Sequence, residues 1–305
     1  MQLPAQIESI RFRGIECYQL KAGTASAAAS AAAGAASSVI VSRFGAQVLS
    51  WRDGTGRERL FLSERAVFDG HTPIRGGIPL CFPQFSGLGD LPKHGFVRSR
   101  VWELVAATAD SELVSLTLGT ADDAGTRAIW PHAFELRLEV QLRAEDMQVS
   151  LTVRNTGTTP FAFTAALHTY FSVSDIAGAN LRGLNGYEYR DAAGGNAIRS
   201  EADAALLVTA EVDRVYHHAP GQLMLEDGAA RLGIAGAGFA DVVVWNPWHA
   251  LCAKLPDMSA LGYRQMLCVE AAVAQFPVTV AAGEVWSGSQ KLTAAGLGGP
   301  DAVDH

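Results

Sequence analysis

The stretch Phe134–Arg143 reads FELRLEVQLR, and its alternation decides the fold class. Phe134, Leu136, Leu138, Val140 and Leu142 fall on one face of an extended chain, with Glu, Arg, Glu and Gln on the other. Successive side chains of a strand point to opposite faces, so this is a half-buried antiparallel strand with one apolar and one wet side. The same period of two recurs on both sides of it. SVIVSRF, AQVLSWR, ELVSLTLGT, MQVSLTVRNTG, FAFTAALHTYF and DVVVWNPW are short β-branched or aromatic runs bounded by Gly, Asp, Asn or Pro. Long amphipathic helical windows are absent. The expected fold is therefore all-β, a large antiparallel β-sandwich with a few short helices. Nothing in the middle has linker composition, so one domain is expected over Ile7–Thr293, followed by a frayed tail from 294 to 305. The tract AGTASAAASAAAGAASS (Ala22–Ser38) stays ambiguous: Ala favours helix, while the interleaved Ser, Thr and Gly favour a flexible loop or a loose hairpin.

The chain has 305 residues, 49% of them hydrophobic and 18% charged, enough to bury a sizeable core. A net charge of −7 argues against nucleic acid as a partner, since such domains carry a basic balance. The four cysteines, Cys17, Cys81, Cys252 and Cys268, lack CxxC spacing. They read as buried thiols of a reducing cytosol rather than a disulfide framework or a zinc site. No signal-peptide pattern opens the chain, and no window approaches the ~18 apolar residues of a membrane span. The expectation is a soluble cytoplasmic protein.

One segment runs against this background. Ile74–Arg100, IRGGIPLCFPQFSGLGDLPKHGFVRSR, holds five glycines and three prolines and cannot be a regular helix or central strand. It carries Arg75, Lys93, Arg98 and Arg100 against Asp90 alone, a local +3 in an acidic chain. Such a reversal can focus an anionic ligand; a solvated basic loop is the plainer reading. Walker, dinucleotide-binding, HExxH and GxSxG patterns are all missing. His217 and His218 are adjacent, so on a strand they point to opposite faces and make a poor chelate. No metal or cofactor is expected.

Two residues fit a structural role less well. His168 sits in the apolar run TAALHTYFSV, where a satisfied core histidine is the commoner outcome. Glu270 sits in MLCVEAAVAQ. A carboxylate buried there must be paired, be protonated or line a cavity, and burial would raise its pKa toward that of a general base. A His, a Glu and an Arg-rich loop on a β scaffold suit proton transfer on a small polar anion.

These blocks also carry a resemblance. RGGIPLCFPQFSGLGDLPKHGFVR, then ALHTYFSVSDI, VDRVY, VVWNPW and GYRQMLCVEAA, resemble in kind and order the hexose-6-phosphate mutarotases (glucose-6-phosphate 1-epimerases) of the aldose 1-epimerase superfamily. The resemblance extends from about Val39 to Thr293 and implies the galactose mutarotase-like β-sandwich. It implies that His168 is the general acid that protonates the pyranose ring oxygen, and Glu270 the general base that takes the anomeric hydroxyl proton. It further implies that His94 donates to the ring oxygen or a neighbouring hydroxyl, and that Asp213 binds sugar hydroxyls. Arg75 and Gln84 would line the sugar pocket, and Arg75 with Arg98 would hold the phosphate; Lys93 and Arg100 rank below them. The implied partner is a hexose 6-phosphate, bound without cofactor; nothing like a coiled coil appears in the sequence, and a monomer is the default expectation. A mutarotase for unphosphorylated aldoses and a silent sugar-phosphate-binding domain on the same scaffold remain alternatives.

Overall fold

The computed structural model describes residues 2–23 and 36–295. Within them the strands form antiparallel sheets of four, eight and nine strands. The expected strand is Phe134–Leu142, paired in the nine-stranded sheet with Val114–Ala121 on one side and Asp146–Asn155 on the other. Its five apolar side chains are all at most 1% exposed. They enter one large core shared with Phe161, Phe163, Leu167, Val244, Leu267 and Val269 of the eight-stranded sheet. The two large sheets therefore pack face to face, as a sandwich whose inner faces interdigitate. The helices are short: Ala124–Ile129, opened by an Asp123 capping box, and Trp248–Cys252. No helix among the described residues is long and apolar enough to cross a membrane.

The ambiguous Ala-rich tract joins two paired strands. Ile15–Ala22 and Ser37–Ser42 are antiparallel partners, with Ala22 opposite Ser37. The interior of the tract, 24–35, and the tail from 296 lie outside the described residues; the last strand runs to Ala295.

The eight-stranded sheet holds the feature that positions chemistry. Its strand Met266–Val280 is buried on both faces over Met266–Ala274. Leu267 and Val269 face the sandwich core. The alternate residues, among them Cys268, Glu270 and Ala272, face away from it and are covered by loops instead. Register sets what shares that second face. Glu270 pairs with Val243 and Val243 with Val215; Cys268 pairs with Trp245 and Trp245 with Asp213. Directly opposed residues project to the same side, so three strands far apart in sequence put Asp213, Trp245 and Glu270 on one floor.

Candidate active site

The glycine-rich segment Ile74–Arg100 covers this floor, and two of its glycines are obligatory. A Cβ on Gly77 (φ +64°) would stand 2.1 Å from the Val48 carbonyl oxygen. One on Gly95 (φ +69°) would stand 1.9 Å from that of Phe82. The motif glycines thus allow backbone to touch backbone where any side chain would collide. Gln84 completes the fold of the loop. Its amide donates to the Leu91 and Ser86 carbonyls at 2.9 and 3.3 Å and accepts from the Leu91 N–H at 3.0 Å.

This scaffold holds His94 in a left-handed backbone conformation, φ 63°. Its Nδ1 accepts from the Ser86 N–H at 3.3 Å and lies 3.2 Å from Cys81 Sγ. An accepting Nδ1 places the ring proton on Nε2. Burial, reinforced by the charges of Arg98, Lys93 and Arg75, lowers the His94 pKa to about 3. His94 is therefore a neutral imidazole with one fixed N–H donor.

His168 follows directly on the strand Phe161–Leu167. Leu167 pairs with Ala271, which brings the next residue beside Glu270. His168 Nδ1 stands 3.3 Å from Glu270 Oε1. Neither Nδ1 nor Glu270 Oε2 has a hydrogen-bond partner, although both atoms are buried. The imidazole is stacked on Tyr170, with ring centroids 4.8 Å apart and planes at 8°, and the His94 ring lies edge-on at 5.4 Å. Burial raises the Glu270 pKa well above the carboxylate range, and Asp213 adds to it. Burial likewise drives His168 well below an ordinary imidazole, helped by His94, Arg75 and Arg98. Both shifts favour neutral forms, so one transferable proton is shared by the pair.

The pair opens onto a cavity of about 410 Å³. His94, Asp213 and Trp245 line it as well, and so do Arg75, Lys93 and Arg190. Burial pushes the Asp213 carboxyl upward, while Arg190 opposes this. A buried acid–base pair beside neutral donors and three cations can move protons on a polar, anionic small molecule.

An aldose 1-epimerase family model matches residues 28–293. The chain belongs to the aldose 1-epimerase family. A curated protein of Cenchrus ciliaris, named "Putative glucose-6-phosphate 1-epimerase", is 39% identical over 82% of this chain and 79% of its own length. One of Escherichia coli K12 with the same name is 32% identical over 75% of this chain and 78% of its own. The crystal structure of a protein from Salmonella typhimurium, titled a "putative mutarotase", superposes with a TM-score of 0.85 at 27% identity. That match spans 96% of this chain and 95% of the other. By family, this chain is a sugar epimerase of the mutarotase kind.

In this aldose 1-epimerase the sequence-derived residues fall into two groups. His168, Glu270, His94, Asp213 and Arg75 converge on the cavity. Gln84 and Arg98 are not among its lining. Gln84 is engaged by the loop, and Arg98 Nη2 donates to the Lys93 carbonyl at 2.9 Å. Arg100 pairs with Asp123 at 2.6 Å, away from the cavity. Arg75 is held from two sides, Nε by Asp257 and Nη1 by the Tyr170 hydroxyl, each at 3.0 Å. Sequence reasoning missed Arg190, on the short strand Glu188–Asp191, whose Nη1 donates to Asn196 at 2.6 Å. It also missed Trp245, Tyr170 and Asp257 as supports, although the HTYF and VVWNPW blocks contained the two aromatics. One group among the described residues has metal-ligating spacing: His168, Cys268 and Glu270, with ligand atoms within 4.8 Å of one another.

Proposed function

We propose that this enzyme interconverts the α and β anomers of hexose 6-phosphates, D-glucose 6-phosphate in the first place, by acid–base ring opening and reclosure. With the pair's one proton on His168, Glu270 takes the proton of the anomeric hydroxyl while His168 delivers its own to the ring oxygen. The C1–O5 bond breaks and leaves the free aldehyde. Rotation about C1–C2 presents the other carbonyl face, and reclosure returns both protons. The cycle needs one proton shared by two groups, and no redox step. The observation that carries this reading is the 3.3 Å approach of His168 Nδ1 and Glu270 Oε1, with unpartnered polar atoms, at the floor of the cavity.

Around that pair, the neutral His94 offers its Nε2–H to the ring oxygen or a hydroxyl, and Asp213 accepts from sugar hydroxyls. Arg75, Lys93 and Arg190, which line the cavity, hold the phosphate, and Arg98 adds its charge from outside the lining; guanidinium groups keep their charge and bind phosphate bidentately. The curated relatives' name supports the phosphosugar. Every residue invoked comes from one chain, so a monomer suffices, and four buried free cysteines suit the cytoplasm.

A second reading, an epimerase of unphosphorylated hexoses, draws support from the engagement of Arg75 by Asp257 and Tyr170. Two-dimensional exchange NMR with glucose 6-phosphate beside glucose and galactose separates the two. Catalysed anomer exchange confined to free hexoses would overturn the phosphosugar reading. Saturable binding without exchange of any sugar would leave only a binding domain.

A further inference from the structure

We infer that His168, Cys268 and Glu270 form a capture site for a zinc-like divalent cation, and that occupancy blocks the enzyme. The three residues supply an imidazole nitrogen, a sulfur and a carboxylate oxygen, all within 4.8 Å of one another and all buried. In a tetrahedral zinc site with bonds of about 2.0–2.3 Å, neighbouring ligand atoms stand about 3.3–3.8 Å apart. His168 Nδ1 and Glu270 Oε1 already have that spacing, at 3.3 Å. Cys268 and Glu270 are two residues apart on one strand, so the pleat sends both side chains to the same face.

A second, independent observation points to a ligand there. His168 Nδ1 and Glu270 Oε2 are buried without any hydrogen-bond partner, and the Glu270 side chain is only 1% exposed. Buried polar atoms are nearly always satisfied, and a cation would satisfy both at once. His168 and Glu270 line the cavity above, whose water would supply the fourth ligand. The donor set favours zinc and its neighbours over magnesium or calcium, which prefer oxygen alone. On binding, the Cys268 thiol proton, and the Glu270 carboxyl proton when present, leave to the buffer.

The two occupants exclude each other, because the cation sits on the groups proposed to move protons. The capture itself stands or falls independently of the sugar, and its test is spectroscopic. Cobalt(II) is titrated into the metal-stripped full chain under a non-chelating reductant. One equivalent should give visible d–d bands of a tetrahedral site and a sulfur-to-cobalt charge-transfer band in the near ultraviolet. Cys268→Ala should abolish the charge-transfer band and weaken zinc, measured against a chromophoric chelator, at least about 10-fold. Cys81→Ala should leave both unchanged. Zinc should stop anomer exchange in the wild type at the concentration that fills the site. A charge-transfer band that survives Cys268→Ala, or vanishes with Cys81→Ala, overturns the assignment. Should Cys268→Ala not fold, X-ray absorption on the zinc-loaded wild type decides: one sulfur with nitrogen and oxygen neighbours supports the site, and oxygen and nitrogen alone refute it.

Discussion

His168 Nδ1 lies 3.3 Å from Glu270 Oε1, close enough for an ion pair yet outside hydrogen-bond alignment. Two polar groups buried in mutual reach but unsatisfied are costly to keep. The arrangement makes sense as a pair that completes its bonds on a substrate. Removing either group should therefore remove catalysis and spare the fold. His168→Ala and Glu270→Gln are each expected to slow catalysed anomer exchange of glucose 6-phosphate by about 10²–10⁴-fold. Circular dichroism and thermal unfolding should stay close to wild type. Wild-type exchange rates in either variant, read by polarimetry or exchange NMR, would remove that residue from the mechanism.

The cations above the pair give a prediction about discrimination. A charge-assisted hydrogen bond to phosphate contributes about 1.5–3 kcal/mol, or roughly 10–100-fold in binding. Arg190→Ala and Arg98→Ala should raise KM for glucose 6-phosphate by that order, and KM for free glucose hardly at all. Arg190 lines the cavity while Arg98 does not, so Arg190→Ala should have the larger effect. Equal changes for both sugars would mean that these side chains support the loop rather than hold phosphate.

The contrast between Gln84 and Arg190 marks what the sequence makes legible. The alternation in FELRLEVQLR declares its face because one side of that strand is wet. Glu270 stands out because a carboxylate in an apolar run needs a reason. The family resemblance implies a pocket role for Gln84, but its hydrogen bonds close on the loop's own backbone. Nothing in EYRD marks Arg190, since only the pairing of Glu188–Asp191 with Val212–His217 brings it beside Asp213. Local pattern reveals faces; long-range register chooses which faces meet.

The loop's glycines give a steric prediction. Gly95→Ala sets a methyl group 1.9 Å from the Phe82 carbonyl oxygen, and the obstacle is backbone that cannot rotate away. The neighbouring His94 must lose its placement along with the turn. The variant should unfold at clearly lower temperature, by at least about 2 kcal/mol of stability, and lose exchange activity. Gly87 has nothing within 4 Å of an added Cβ, so Gly87→Ala is the matched control and should retain both. Indistinguishable melting of the two variants would show that the close approach at Gly95 is relieved without loss.

A buried pair far from the cavity sets a pH dependence of stability. Asp53 Oδ2 meets Arg59 Nε at 2.5 Å, with the aspartate side chain fully buried and the arginine nearly so. Asp53 Oδ1 also accepts from the Thr55 N–H and hydroxyl at 2.8 and 2.6 Å. Burial alone would push this carboxyl up, but the Thr55 hydrogen bonds and the Arg59 guanidinium outweigh it and hold its pKa below the ordinary 3.8. A group depressed in the folded state stabilises the fold fully above its unfolded pKa of about 3.9. That contribution fades as pH falls through the lower folded value, because the unfolded chain then binds the extra proton. Asp53→Asn cannot ionise and leaves Arg59 buried without its counter-charge, which should cost about 3–5 kcal/mol at pH 7. Urea unfolding between about pH 2 and 7 should show the gap between wild type and variant narrowing below about pH 4. A gap that stays constant across that range would mean that the pair's contribution is packing rather than charge.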